Sequence, residues 1–417
     1  MTDALVSFAW IAAAGLLAPV LSFLTGKRVP AVVFLLILGV VIGPFGLELA
    51  HDGEAIELIS ELGLGMLFLL AGMEINPALL KSRQGGHALA TWVLCAVLSF
   101  AGAMALTDGD AGIAIVLAIA LTSTALGTLL PIIKQDGLTD TPVGNSVLVH
   151  GAIGELAPVL AMAVLLSARS TLATAVVLVV FFVIALLIAV LPRTVRTLVP
   201  AVGWAIRDGA GSTNQTVIRS IVLVLAVLMA VAAVFELDVV LGAFAAGIIL
   251  RQLLPDRYRG QIESQLEVIG YGLLIPAFFV ISGMAIDTAV ITDRPWFLLG
   301  IPVLILVTRG LPLFLRELWT PTGSGLSDWR SKLQLSLYAA TGLPIIVAVT
   351  GVATSSGILG DEEASLLVAG GALTVLFFPV LASAVGPSPV QDEDATQNQQ
   401  PSRQSAEQAN VQADERT

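Results

Sequence analysis

Residues 147–164 read VLVHGAIGELAPVLAMAV, an apolar run with a single charged side chain, Glu155. No other Asp, Glu, Lys or Arg lies between Asp140 and Arg169. Such a run has the length a helix needs to cross a bilayer, about 20 residues at roughly 1.5 Å each. An ionisable group in the middle of a span is expensive, roughly 2.5–3.5 kcal/mol on insertion scales. A chain that keeps one there ordinarily uses it to carry protons or ions.

The same texture runs along the whole chain. Of 417 residues, 56% are hydrophobic and 12% charged, half the charge content of about 25% in soluble domains. Lipid leaves only helices or a closed barrel to satisfy the backbone, and runs of about 20 residues fit helices rather than alternating strands. The predicted fold class is therefore an all-α polytopic membrane protein. Thirteen apolar segments are expected, at 4–24, 30–49, 58–80, 87–107, 111–134, 143–167, 171–192, 217–235, 239–253, 266–287, 295–316, 333–357 and 364–385. The N-terminal segment has no basic region ahead of it and reads as a retained helix rather than a signal peptide. One cysteine, Cys95, excludes an intrachain disulfide. Residues 386–417 are rich in Gln, Ala, Ser and Pro and carry a net charge of −4, so a disordered cytoplasmic tail is predicted there.

Charge sets the orientation. Loops after odd-numbered segments hold fifteen Lys and Arg, whereas loops after even-numbered segments hold only Arg169 and Arg294. That places the N-terminus outside and the C-terminus in the cytoplasm. An internal repeat is also visible. Residues 63–80 (GLGMLFLLAGMEINPALL) and 270–291 (GYGLLIPAFFVISGMAIDTAVI) share a Gly-x-Gly start and a small-Gly-Met-x-Ile-Asn/Asp motif. They lie seven segments apart, so they cross in opposite directions, as inverted repeats of secondary transporters do.

Glu155 stands about midway through its span, where a carboxyl can take up a proton or, deprotonated, offer hard oxygen to a small cation. If the carrier moves only when the site is occupied, competition between the two for one side chain suffices for exchange. Segment five carries Thr122, Ser123, Thr124 and Thr128 near its centre, hydroxyls that can relieve an unwound backbone or coordinate a cation. Segment twelve carries Thr341, Gly342 and Pro344, a pattern that breaks or kinks a helix. Arg309, deep in segment eleven, stays protonated and needs a partner. Glu155, Glu74 and helix C-terminal carbonyls are the candidates. Glu74 and Asp287 are candidates for interfacial capping or for an access funnel, His150 for a packed, hydrogen-bonded histidine or for the same funnel, and Asn145 for the cap of segment six. No catalytic motif or cofactor signature is present, so neither enzyme activity nor a cofactor is expected. Nothing points to a nucleic-acid partner.

The chain resembles the cation:proton antiporters, in the bacterial sodium/proton-exchanger branch that includes Kef-like proteins. The resemblance rests on VPAVVFLLILGVVIGPFGL, LGLGMLFLLAGMEINPALL, ALTSTALGTLLPIIKQ, LGAFAAGIILR and IPAFFVISGMAID and covers about residues 5–385. It implies two inverted repeats and a core (87–167 and 295–385) with two crossed broken helices. It also implies a dimerisation scaffold (4–80 and 217–291), a linker helix (171–192), a homodimer and a bacterial inner-membrane location. Segments five and twelve would be the broken pair and segment six the bearer of the ion site. The implied activity is Na⁺ or K⁺ exchange for H⁺. A potassium-efflux channel, another solute carrier or a non-transporting sensor on the same scaffold are the alternatives. Two departures stand out. Relatives usually place Asp, Asn or Gln before an aspartate, where this chain has Gly154-Glu155. Charge-moving relatives tend to have lysine where Arg309 stands. One carboxyl beside a fixed positive charge suggests electroneutral 1:1 exchange.

Overall fold

The structure, a computed structural model, describes residues 2–26, 29–75, 80–139, 141–166, 180, 181, 183, 216–235, 237–254 and 256–385. The predicted linker helix, apart from three of its residues, and the predicted tail lie outside the described residues.

The described residues are all-helical. In chain order the helices are α1 (Thr2–Leu24), α2 (Ala31–Ile42), α3 (Glu54–Glu74), α4 (Arg83–Leu106), α5 (Ala111–Leu121), α6 (Leu126–Gln135) and α7 (Pro142–Leu165). After the undescribed stretch come α8 (Thr216–Val234), α9 (Val239–Leu253), α10 (Asp256–Ile269), α11 (Ile275–Met284) and the short α12 (Thr288–Asp293). The last are α13 (Pro295–Ile305), α14 (Leu311–Trp319), α15 (Trp329–Ala339), α16 (Pro344–Ser355) and α17 (Asp361–Val385). Counting broken or bulged rods as single spans, ten are long and apolar enough to cross a membrane, with α2 and α9 shorter. The protein is a multi-pass membrane protein.

Every predicted segment that falls on described residues is helical, with three differences of detail. Segment two ends early, at Ile42, because Gly43 and Pro44 follow; its remainder folds back in turns, with the Ala50 amide on the Ile42 carbonyl at 2.9 Å. The helices α10–α11 and α13–α14 are each one rod containing a π-helical turn, at Gly270–Leu274 and Leu306–Gly310. Hydropathy cannot reveal such a turn, because the composition stays apolar through it. Segment six is capped by Thr141, whose hydroxyl accepts the Gly144 amide at 3.1 Å, rather than by Asn145. Pro142 at the first helical position fixes that start, since its missing N–H would have had no partner anyway.

The helices pack as two sets. One comprises α1–α3 and α8–α11; the other comprises α4–α7 and α13–α17. Within the first set, several crossings depend on glycine, two of them at the repeated motif. A Cβ on Gly72 of α3 would overlap the Phe244 carbonyl oxygen of α9, and one on Gly283 of α11 would overlap the Leu36 carbonyl oxygen of α2. Small residues let membrane helices approach backbone to backbone, where dispersion rather than the hydrophobic effect holds them. Gly72 and Gly283 occupy equivalent places in the two repeated motifs of the sequence. The sets touch each other more thinly, through α3 and α6, α7 and α9, and α2 and α17.

Candidate ion-binding site

The site begins with two interrupted helices. The α5–α6 rod loses its helical bonding across 122–125, and α15–α16 loses it across 340–343. The first break follows from the hydroxyl run, which offers the backbone other hydrogen bonds. The second follows from Pro344, which cannot donate to the preceding turn. The two extended stretches pass each other in direct contact. Ala125 N donates to the Thr341 carbonyl at 2.8 Å, and Thr124 Oγ1 donates to the Ala339 carbonyl at 2.6 Å. Gly342 has no side chain to obstruct this: a Cβ there would stand 2.8 Å from Ser123 Oγ.

A neighbouring helix steadies each break. On one side α7 supplies Gly154, whose carbonyl accepts Thr124 N at 2.9 Å. On the other α17 supplies Thr374, whose hydroxyl donates to the Gly342 carbonyl at 3.0 Å. Thr374 was not among the predicted site residues. It reads as an ordinary polar residue in an apolar run.

Glu155, on α7, is 4% exposed. Its Oε1 accepts the backbone N–H of Leu126 at 2.7 Å and of Gly127 at 3.4 Å. Those are the first amides of α6, which have no partner within their own helix and carry the positive end of its dipole. A carboxylate is the ligand such an end prefers. Glu155 Oε2 is buried and has no hydrogen-bond partner among the described residues. The side chain is thus anchored by one oxygen and presents the other.

Arg309 comes from the π turn at Leu306–Gly310 and is fully buried. Among the described residues, none of its hydrogen bonds goes to a carboxylate. Nη2 donates to Thr124 Oγ1 at 3.2 Å and to the His150 carbonyl at 3.4 Å, while Nε donates to the Ala339 carbonyl at 3.4 Å. Ala339 ends α15, so its carbonyl lies at the negative end of that helix dipole. Of the three partners the sequence allows, a helix C-terminal carbonyl, that of Ala339, is the one used, joined by the mid-helix carbonyl of His150 and the Thr124 hydroxyl. The crossing therefore pairs a helix N-terminus with a carboxyl and a helix C-terminus with a guanidinium.

The geometry explains Gly154. A Cβ at this position would overlap Thr124 Oγ1 and stand 2.9 Å from Arg309 Nη2. The space beside the Gly154 Cα is filled by a threonine hydroxyl and an arginine.

The other predicted residues are dispersed. Thr122, Ser123 and Thr341 donate to carbonyls of their own helices, Ala118 at 2.6 Å, Ala120 at 2.8 Å and Leu337 at 3.1 Å. Among the site's hydroxyls, Thr124 is the one that bridges the two breaks. Glu74, at the end of α3, has a buried Oε2 without a hydrogen-bond partner among the described residues and stands in the wall next to α6. Asp287 accepts the Ala289 amide at 2.8 Å and caps α12. His150 faces away from Glu155: its Nε2 lies 3.9 Å from Glu317 Oε1 on α14. Glu317 is itself buried and accepts the Thr322 and Ser324 hydroxyls, each at 2.7 Å. The apolar run ends at Arg316 in the sequence, so Glu317 reads there as a loop residue; the helix instead continues to Trp319.

Comparison with known proteins agrees with this architecture. The family model described as "Sodium/hydrogen exchanger, transmembrane" matches residues 10–384. The chain is 24% identical over 385 residues to the putative Na(+)/H(+) antiporter YjbQ of Bacillus subtilis, covering 87% of this chain and 60% of that protein. It is 28% identical over 366 residues to the glutathione-regulated potassium-efflux system protein KefC of Cronobacter sakazakii, covering 83% of this chain and 55% of that one. The chain thus spans little more than half the length of these relatives. In fold it is similar to the sodium proton antiporter MjNhaP1 from Methanocaldococcus jannaschii, with a TM-score of 0.64 at 17% identity, covering 92% of this chain and 98% of that one.

Proposed function

The chain belongs to the sodium/hydrogen exchanger family, and from that premise we propose that it is a secondary antiporter exchanging H⁺ for Na⁺ or K⁺ across a bacterial inner membrane. The observation that carries this reading is the divided role of the Glu155 carboxyl. One oxygen is held by the N-terminus of α6, and the other is buried, oriented and open to either a proton or a cation. Lone pairs of Thr124 and nearby carbonyls complete the cation's oxygen shell; the remaining hydroxyls keep the breaks in shape. The cation is cargo, not a resident metal.

Transport follows if the core (87–167 and 295–385) moves against the scaffold (4–80 and 217–291), carrying Glu155 between the two faces. The thin contact between the two packed sets favours this division. The paired glycine crossings, and the matching roles of α7 and α17 at the two breaks, favour an inverted repeat. The charge asymmetry of the loops favours an external N-terminus and a cytoplasmic C-terminus, and the scaffold is the expected homodimer surface.

Arg309 keeps its charge throughout the cycle. The moving core therefore carries the same charge with H⁺ or with a monovalent cation on Glu155, so exchange is one for one and electroneutral. ΔpH-driven exchange in everted vesicles with a panel of Na⁺, K⁺ and Li⁺ tests this. Cation-dependent proton release that is insensitive to membrane potential is expected. Proton release without dependence on any of the three cations would refute it.

A further inference from the structure

Among the described residues, two rods contain π turns. Such turns inside α-helices are frequently found at functional sites. One, Leu306–Gly310, delivers Arg309 to the crossing. The other, Gly270–Leu274, holds Tyr271, a residue the antiport reading does not use.

Tyr271 belongs to the scaffold-side set, yet its phenol reaches the other set. Its hydroxyl lies 3.5 Å from the carbonyl of Gly127, on which it donates. Gly127 is also one of the two residues whose amides point at Glu155 Oε1. The first turn of α6 is therefore contacted from both sides, by the carboxyl on its amide face and, at longer range, by the phenol on its carbonyl. A Cβ on Gly127 would stand 3.8 Å from the phenol oxygen, ordinary contact distance, so the ring end rests against this turn.

Exposure changes sharply across this point. Tyr271 is 43% exposed and Glu155 is 4% exposed. The turn at Gly127 thus stands between a partly exposed tyrosine and a buried carboxyl, touching both. Glu74, with its unpartnered Oε2, sits on α3, which packs against both the π turn and α6. Carbonyls at the start of α6 point toward its C-terminus, and α6 ends at Gln135 beside the loop predicted to be cytoplasmic. That places the phenol on the cytoplasmic side of Glu155.

We propose that Tyr271 is the scaffold's inner gate: its ring, set against Gly127 by the π turn, closes the cytoplasmic approach to Glu155. The proposal rests on the antiport reading of Glu155 and adds the residue that controls access to it. A rigid ring on a scaffold helix can seal the first turn of a moving half-helix in one state and part from it in another, the kind of gating that excludes water and commits a bound substrate.

The test reads access to the carboxyl rather than transport. Everted and right-side-out vesicles carrying the full chain are treated with a membrane-impermeant cationic carbodiimide. The adduct on the peptide containing Glu155 is quantified by mass spectrometry and normalised to exposed Glu267 in everted vesicles and to exposed Glu54 in right-side-out vesicles. In everted vesicles, Tyr271→Ala should raise the Glu155 adduct by about tenfold, while Tyr271→Phe, which keeps the ring, stays close to the parent. Tyr271→Leu, which keeps apolar bulk, should fall between them and guards against a folding defect in the alanine variant. Equal labelling of parent and Tyr271→Ala in everted vesicles, or a gain confined to right-side-out vesicles, would overturn the proposal. Loss or retention of exchange in Glu155→Gln decides the antiport reading separately.

Discussion

Glu155 Oε1 accepts the backbone amide of Leu126 at 2.7 Å, across the gap between an unbroken helix and the start of a half-helix. This bond turns a costly acid into an oriented ligand. It also ties the carboxyl's position to the break in the α5–α6 rod, because only a helix start offers amides of this kind. Shortening the side chain should expose that dependence. Glu155→Asp keeps the acid but withdraws it from Leu126, and loss of a charged hydrogen bond of about 1.5–3 kcal/mol should lower exchange by roughly 10- to 100-fold without abolishing it. Initial rates of ΔpH-driven exchange check this; an aspartate variant as fast as the parent would show that the bond is dispensable.

Competition for one carboxyl has a kinetic signature. Cation ligands must be deprotonated, so binding depends on pH. On the acid side, the apparent KM for the cation should rise about tenfold per pH unit while the maximal rate at saturating cation holds. Rates measured over a matrix of pH and cation concentration test this.

Gly154 is confined by Thr124 and Arg309. Gly154→Asn adds a polar side chain where Thr124 and Arg309 leave no room for one. It should overpack the crossing, lowering stability by about 1–3 kcal/mol and impairing exchange. Thermal stability in detergent and transport would be measured together. A stable, active Gly154→Asn would mean that Arg309 can vacate the space easily.

Arg309 binds a hydroxyl and two carbonyls with different edges of a planar group. Lysine offers a point charge in place of that fork. Arg309→Lys should therefore retain the charge yet lower the melting temperature, whereas Arg309→Met should be worse, since it strands the carbonyls and removes the charge near Glu155. A double-mutant cycle with Thr124→Val should show coupling, because Thr124 Oγ1 is one of the guanidinium's partners.

Asp328 lies before α15, outside the spans, and its Oδ2 accepts the amides of Arg330 at 3.1 Å and Ser331 at 3.2 Å. Slight burial pushes its carboxyl up, but the hydrogen bonds from Ser331 and Arg330 outweigh this and hold it below its ordinary value. A depressed carboxyl contributes stability that is present above its unfolded value and lost as pH falls through the folded one. Asp328→Ala should cost about 0.5–2 kcal/mol at neutral pH, a typical cap value. The difference from the parent should shrink in acid, below about pH 4. Melting curves at several pH values check both points.

The sequence exposes whatever is written in side-chain type. Spans, both breaks and the isolated acid are visible because apolar runs, Thr-Ser-Thr and Thr-Gly-x-Pro differ from their surroundings. Features written in the backbone stay hidden. The amides of Leu126 and Gly127 leave no mark in composition, although they hold Glu155. The π turns that place Arg309 and Tyr271 change hydrogen bonding without changing hydropathy. Thr122, Ser123 and Thr341 look like ligands in the sequence, and only the fold shows their protons donated to Ala118, Ala120 and Leu337. Glu317 is missed for a related reason: Arg316 marks the end of the apolar run, but the helix carries the next residue inward against His150. The meaning of Gly154 needs three elements at once, since Thr124 and Arg309 reach it from different helices.

The central claim is that one carboxyl serves both proton and cation. Glu155→Gln keeps the size and the hydrogen-bond acceptor toward Leu126 but can neither release a proton nor neutralise a cation. Reconstituted or in everted vesicles, the glutamine variant should fold, match the parent in thermal stability and show no ΔpH-driven Na⁺ or K⁺ exchange. Exchange at the parent's rate by that variant would contradict the account.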